Sequence, residues 1–205
     1  MKAGWFPFVV RMFMQHKRIA LALLLLSTVV SLAHAQSIRN PALRQELLER
    51  VEEDQKARAA IPNDPAKITL ALVTSVQSID KANTAWLKQM IQKYGWPGKS
   101  LVGEDGAHAA WLLVQHADLD RDFQKYCLKL MEKAVQAGEA SGADYAYLTD
   151  RVRTGEGQPQ VYGSQLKFVN GKYVPLPIED EANVDKRRAA VGLPSLAEYL
   201  KAAPR

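Results

Sequence analysis

The stretch WLLVQHADLD, residues 111–120, decides how this chain is read: an apolar run that ends abruptly in Gln115, His116, Asp118 and Asp120. With Ala109 and Ala110 before it, the run has too few polar positions to lie on a surface, so the helix that carries it must be largely buried. Residues seven apart on a helix are rotated by only about 20°. His108 and Gln115 therefore share one stripe, with His116 beside it, and that stripe faces either a narrow solvent edge or an internal polar pocket. His116 near a helix C-terminus is favoured as an imidazolium by the dipole, while Asp118 or Asp120 can cap the next helix. The same atoms suit chemistry: His116 as general base or metal ligand, with Asp118 orienting it or sharing the metal.

Working outward, the pattern is mainly helical. Asn40-Pro41 opens a helix to about Ala60, with Leu43, Leu47, Leu48 and Val51 on its buried side. Pro62, Asn63, Asp64 and Pro65 break the chain. ITLALVTSVQSID reads equally as a short helix or an extended stretch. Further helices are expected over about 84–94, ended by Gly95-Trp96-Pro97-Gly98, and over about 104–116, 122–138 and 143–154. QVYGSQLKFV and KYVPL then flank Asn170-Gly171, a dipeptide suited to a two-residue hairpin turn. Two short helices, about 182–191 and 195–201, follow. The expected fold is a mainly α, compact single domain over residues 36–205, with one β-hairpin in its C-terminal third.

Residues 1–35 read as a secretory signal peptide: Lys17 and Arg18, the apolar run IALALLLLSTVVSL, then Ala33-His34-Ala35 before Gln36. The apolar stretch is shorter than the ~20 residues that span a bilayer, so no stable membrane insertion is expected after cleavage. The mature protein would be periplasmic or secreted. Met14 would give a more ordinary leader than Met1.

The net charge of +5 is a leader effect, because Lys2, Arg11, Lys17 and Arg18 come with no acid. Of 27 basic residues, 23 then remain against 22 acidic ones. Such a balanced chain is a poor partner for nucleic acid. Cys127 is the one cysteine, and FQKYCLKLM places it with Phe123, Met131 and Val135 on one helical face, as a buried apolar residue. No intrachain disulfide can form.

Several polar residues stand where apolar ones are expected. From Leu47 and Val51 the stripe of the first helix continues to Gln55 and Arg58, and a guanidinium there is costly unless paired. Asp54 is a local candidate partner for it, either in a buried pair or in a solvated i,i+4 surface bridge. The fifth helix brings Tyr147, Asp150 and Arg151. The segment GEGQPQVYGSQ is dense in amides, and strand alternation would put Gln160, Tyr162 and Ser164 on one side and Gln165 on the other. These groups orient polar ligands well and break bonds poorly. Asp118-x-Asp120-x-Asp122 fails as a calcium loop, because the sixth position lacks Gly and the twelfth is Lys129. No metal or cofactor is assigned, and no nucleophile elbow, phosphate loop or dinucleotide fingerprint occurs.

DQKAR (54–58), YGWPGKSLVGEDG (94–106), AAWLLVQHAD (109–118) and AYLTDRVRTGEGQPQVYGSQ (146–165) resemble an uncharacterised bacterial family, classed as a domain of unknown function. PIEDEANVDKRRAAVGLPSLAEYL (177–200) fits the same pattern. The resemblance implies that these blocks belong to one shared domain, and it carries no activity. The expected function is an exported soluble domain whose polar pocket binds or hydrolyses a small polar or envelope-derived ligand. His116 and Asp118 would be catalytic, with Gln55, Arg58, His108, Gln115, Asp150, Arg151, Gln160, Tyr162 and Gln165 holding the ligand. The alternative is a non-catalytic envelope interaction domain in which the same residues form a structural network. Oligomeric state is left open.

Overall fold

A computed structural model describes residues 38–62, 65–169 and 171–203. The expected leader lies outside the described residues. Helix α1 (Pro41–Ala59) starts where Asn40 and Pro41 indicate, with the Asn40 side chain accepting from the Leu43 N–H at 3.0 Å. Helix α2 (Leu70–Tyr94) settles the undecided segment as helix and joins it to the expected 84–94 element as one rod of 25 residues. Its buried stripe is Val76, Asp80, Asn83, Thr84, Leu87 and Ile91. Three polar residues in the middle of that stripe, Asp80, Asn83 and Thr84, mask the helical period, so the sequence pattern shows only the C-terminal half.

Helix α3 (Lys99–Gln115) breaks at Gly103, whose φ of +78° only glycine adopts readily; the regular part begins at Glu104, where the sequence places it. Helix α4 (Arg121–Gln136) is capped by Asp120, whose carboxylate accepts from the Phe123 N–H at 3.1 Å. Helix α5 (Gly142–Gly155) is capped by Ser141. Strands β1 (Leu166–Val169) and β2 (Lys172–Pro175) pair antiparallel with Val169 opposite Lys172, which leaves the two-residue connection that Asn170-Gly171 requires. Gly171 has φ +79°, and Asn170 lies outside the described residues. Helices α6 (Val184–Ala190) and α7 (Leu196–Ala202) close the chain.

Helix α3 is the axle. It touches α1, α2, α4 and α5, and its residues from Ala109 to Gln115 are all buried. Leu43 and Leu47 of α1, Leu87 and Ile91 of α2, Phe123, Cys127 and Met131 of α4, Leu148 of α5 and Tyr199 of α7 complete the core around Trp111. Cys127 is free and buried, as its helical face implies. Among the described residues no helix is long and apolar enough to cross a membrane.

One local expectation fails. The chain from Gln160 to Gln165 is not strand; only Gln160 makes an isolated bridge, to Ile178. Asp150 on α5 explains why, because its carboxylate accepts the backbone N–H groups of Val161, Tyr162 and Ser164 at 2.7–3.0 Å. Three donors turned toward one carboxylate cannot also alternate across a sheet, so this loop curls.

Candidate functional site

Helix α3 carries two histidines, and each meets an aspartate from another helix. At its C-terminal end His116 Nδ1 lies 2.9 Å from Asp54 Oδ2 of α1. The sequence reading gave that orienting role to Asp118, and the structure assigns it to Asp54. Asp118 instead accepts from both Nε (2.9 Å) and Nη2 of Arg151, while Arg151 Nη1 donates to Gln165 Oε1 at 3.2 Å. The reason is tertiary: α1 crosses α3 at His116, and α5 brings Arg151 to the turn that holds Asp118.

Arg58 is paired, as its place on the apolar stripe requires. Its Nε donates to Asp54 Oδ1 at 2.9 Å and its Nη2 to Asp80 Oδ1 of α2. Asp54 is 1% exposed, so this i,i+4 pair is a buried one and not a solvated bridge. Gln55 donates to Asp54 Oδ2 at 2.7 Å. Asp54, Arg58, Asp80 and His116 thus form one cluster, with Asp118, Arg151 and Gln165 close by.

Its electrostatics follow from burial and charge. Burial drives the Asp54 carboxyl up, but the His116 hydrogen bond and charge, with Arg58 and Gln55, outweigh it and hold Asp54 down at about 2. Burial pushes the His116 imidazole below its ordinary range, and Arg58 adds to the effect. A neutral His116 still donates its Nδ1–H to an ionised Asp54, with Arg58 supplying the permanent charge. Burial pushes Asp80 up; Arg58 pulls it back, yet the Asp54 and Asp118 charges leave it at about 7. Burial raises Asp118 too, but Arg151 outweighs it and keeps that carboxyl below its usual range.

The second histidine sits elsewhere. His108 Nδ1 lies 3.0 Å from Asp144 Oδ2 of α5, and its ring stacks on Trp111 with centroids 4.8 Å apart. The His108 side chain is 38% exposed, against 4% for His116. It lines a cleft of about 540 Å³ bounded by Ile38 and Arg44, the first turns of α3, and Ser141 and Asp144. At the rim Arg44 pairs with Asp105 and Lys99 with Glu104. Burial raises the Asp144 carboxyl, against the pull of His108.

The expected ligand-holding residues are therefore divided. Gln55, Arg58, Arg151 and Gln165 join the network around His116 and Asp118. Asp150, Gln160 and Tyr162 build the curled loop: Gln160 Nε2 donates to the carbonyls of Gln165 and Leu176, and the Tyr162 carbonyl accepts from Arg188. His108 belongs to the cleft. Gln115, 0% exposed, has no partner for either amide atom among the described residues. The seven residues from His108 to Gln115 span ~10 Å of helix, so the shared stripe does not make one site. Asp80 and Asp144 were missed; the signal for Asp80 was a polar residue on the Val76 to Ile91 stripe.

Fold and site together define a helical domain built on a buried ion-pair network, with a separate histidine–aspartate cleft at one end of its central helix. The chain belongs to the family of unknown function DUF6624, whose model matches residues 41–203. No curated protein and no solved structure matches it.

Proposed function

We propose that this protein is an exported, soluble domain that binds a small polar or envelope-derived ligand in the His108–Asp144 cleft, with His108 moving the proton if the ligand is turned over. The observation that carries the reading is the half-exposed histidine oriented by a buried carboxylate inside a cleft of ligand size. A carboxylate on Nδ1 fixes the tautomer and orientation of the ring. The rim charges are neutralised in pairs, which favours a ligand held by hydrogen bonds over a strongly charged one. Export rests on the leader read in residues 1–35, and a periplasmic or secreted location follows from it.

The network around His116 and Asp118 is better suited to bracing than to catalysis. Arg58 and Arg151 both spend their donors on protein groups, so neither is open to an anionic ligand. This keeps the structural alternative for that half of the molecule.

A thermal-shift screen of the purified chain against sugars, amino acids and peptidoglycan fragments tests the reading. A compound at a hundredfold over its Kd should add ~2.7 kcal/mol, roughly 5 °C or more for a domain of this size. The shift should vanish in His108→Ala and persist in His116→Ala. The opposite pattern would move the site to the buried network.

A further inference from the structure

Among the described residues, the buried network sets two carboxylates, Asp54 and Asp80, against one guanidinium group, Arg58, while Asp118, its side chain 31% exposed, is paired with Arg151. The carboxylates outnumber the guanidinium groups by one in a region largely hidden from water. Buried charge is retained only where something compensates it. The excess is localised at Asp80. Its Oδ1 takes the Arg58 Nη2, whereas its Oδ2 has no hydrogen-bond partner among the described residues, on a side chain 7% exposed.

Geometry supplies what such an excess requires. One ligand-capable atom each from Asp54, Asp80 and His116 lies within 4.8 Å of the other two. The three residues come from α1, α2 and the end of α3, so they meet only in the folded chain. His116 Nδ1 and Asp54 Oδ2 are already 2.9 Å apart, about half an ångström short of the separation of two donors set tetrahedrally on one ion with bonds of ~2.0–2.2 Å. Arg58 binds Oδ1 of both aspartates, so Asp80 Oδ2 is left for another cation and Asp54 Oδ2, which holds Gln55 and His116, keeps its second face off the guanidinium.

We propose that Asp54 Oδ2, Asp80 Oδ2 and His116 Nδ1 form a three-residue site for a divalent transition-metal ion of the zinc or manganese class, with at least one coordination position open. One imidazole and two carboxylates are donors that such ions accept. The ion takes the place of the Nδ1 proton, and His116 becomes the tautomer protonated on Nε2. Both aspartates then bridge the metal and Arg58. A dication turns the excess of one negative charge into one positive, which an anionic ligand in the open position balances. The site is separate from the cleft and does not depend on what the cleft binds.

Cobalt(II) is the probe, because its visible absorption reports coordination directly. Titrated into the chelator-stripped, purified full chain, it should bind at one equivalent with the intense bands of a low-coordinate ion. Binding should be lost in Asp80→Asn and in His116→Gln with helical circular dichroism retained, and kept in His108→Ala. No binding by the wild type overturns the proposal, as does binding that survives Asp80→Asn and is lost in His108→Ala. If both network variants unfold, the wild type alone still decides. Substoichiometric manganese(II) should broaden the His116 ring signals in an NMR spectrum before those of His108, and the reverse order refutes the site.

Discussion

Two histidines eight residues apart on one helix each offer Nδ1 to an aspartate, and the two pairs do opposite things. His108–Asp144 meets solvent in a cleft, and its carboxyl is raised by burial. His116–Asp54 is enclosed, and its carboxyl is held at about 2. The histidine–aspartate contact is nearly the same length in both, so it cannot account for the difference. What differs is the third group: Arg58 places a permanent positive charge on Asp54, while Asp144 has no guanidinium contact among the described residues. A histidine–aspartate pair is thus not a function in itself, because its surroundings decide whether it moves protons or holds helices together.

The sharpest way to break this comparison is to truncate each carboxylate. Asp54→Ala leaves Arg58 and His116 without their acceptor in a buried site and should cost ~3–5 kcal/mol. Asp144→Ala removes a hydrogen bond from a half-exposed ring and should cost ~1 kcal/mol. Urea denaturation of both variants measures the two. Equal losses would mean that the pairs are energetically alike and that Arg58 does not distinguish them.

A pH series sharpens the buried side. Asp80 titrates at about 7 in the folded chain and near the ordinary aspartate value of 3.8 unfolded. Between those values the native state binds more protons, so Asp80 costs stability progressively as pH rises from about 4 to about 7. His116, with its lowered pKa, acts in the opposite direction, since the native state then binds fewer protons below its ordinary range. Subtracting the Asp80→Asn curve isolates the first effect. In EDTA, the wild type should lose stability relative to Asp80→Asn across that window and run parallel to it above. Parallel curves throughout would show that Asp80 ionises normally.

The smallest expected effect concerns the helix between the two pairs. Gln115 buries an amide with no partner among the described residues, and an unsatisfied buried polar group costs ~1–3 kcal/mol. Gln115→Met keeps the shape and removes the polar atoms, so it should raise stability by ~1 kcal/mol. A loss in differential scanning calorimetry would place a buried water or ligand on that amide.

Local patterns in the sequence carried the frame. Asn40-Pro41 starts α1, Gly95 ends α2, the apolar run before Gln115 marks α3 as buried, and Asn170-Gly171 places the hairpin. Each rests on contacts within a few residues, where helix caps, glycine conformations and hydrophobic period act. The polar residues at wrong positions were legible as anomalies too: Arg58 beyond Val51, His116 after Val114, Asp150 and Arg151 on α5. Their partners were not. Arg58 with Asp80 lies 22 residues apart, Arg151 with Asp118 33, His108 with Asp144 36 and His116 with Asp54 62. Sequence alone determined which groups needed a partner, because the cost of burying them is a property of the residue and its helix face. Only the packing of α1, α2 and α5 around α3 decided which partner each received, since carboxylates are alike until the fold sets one of them within 3 Å.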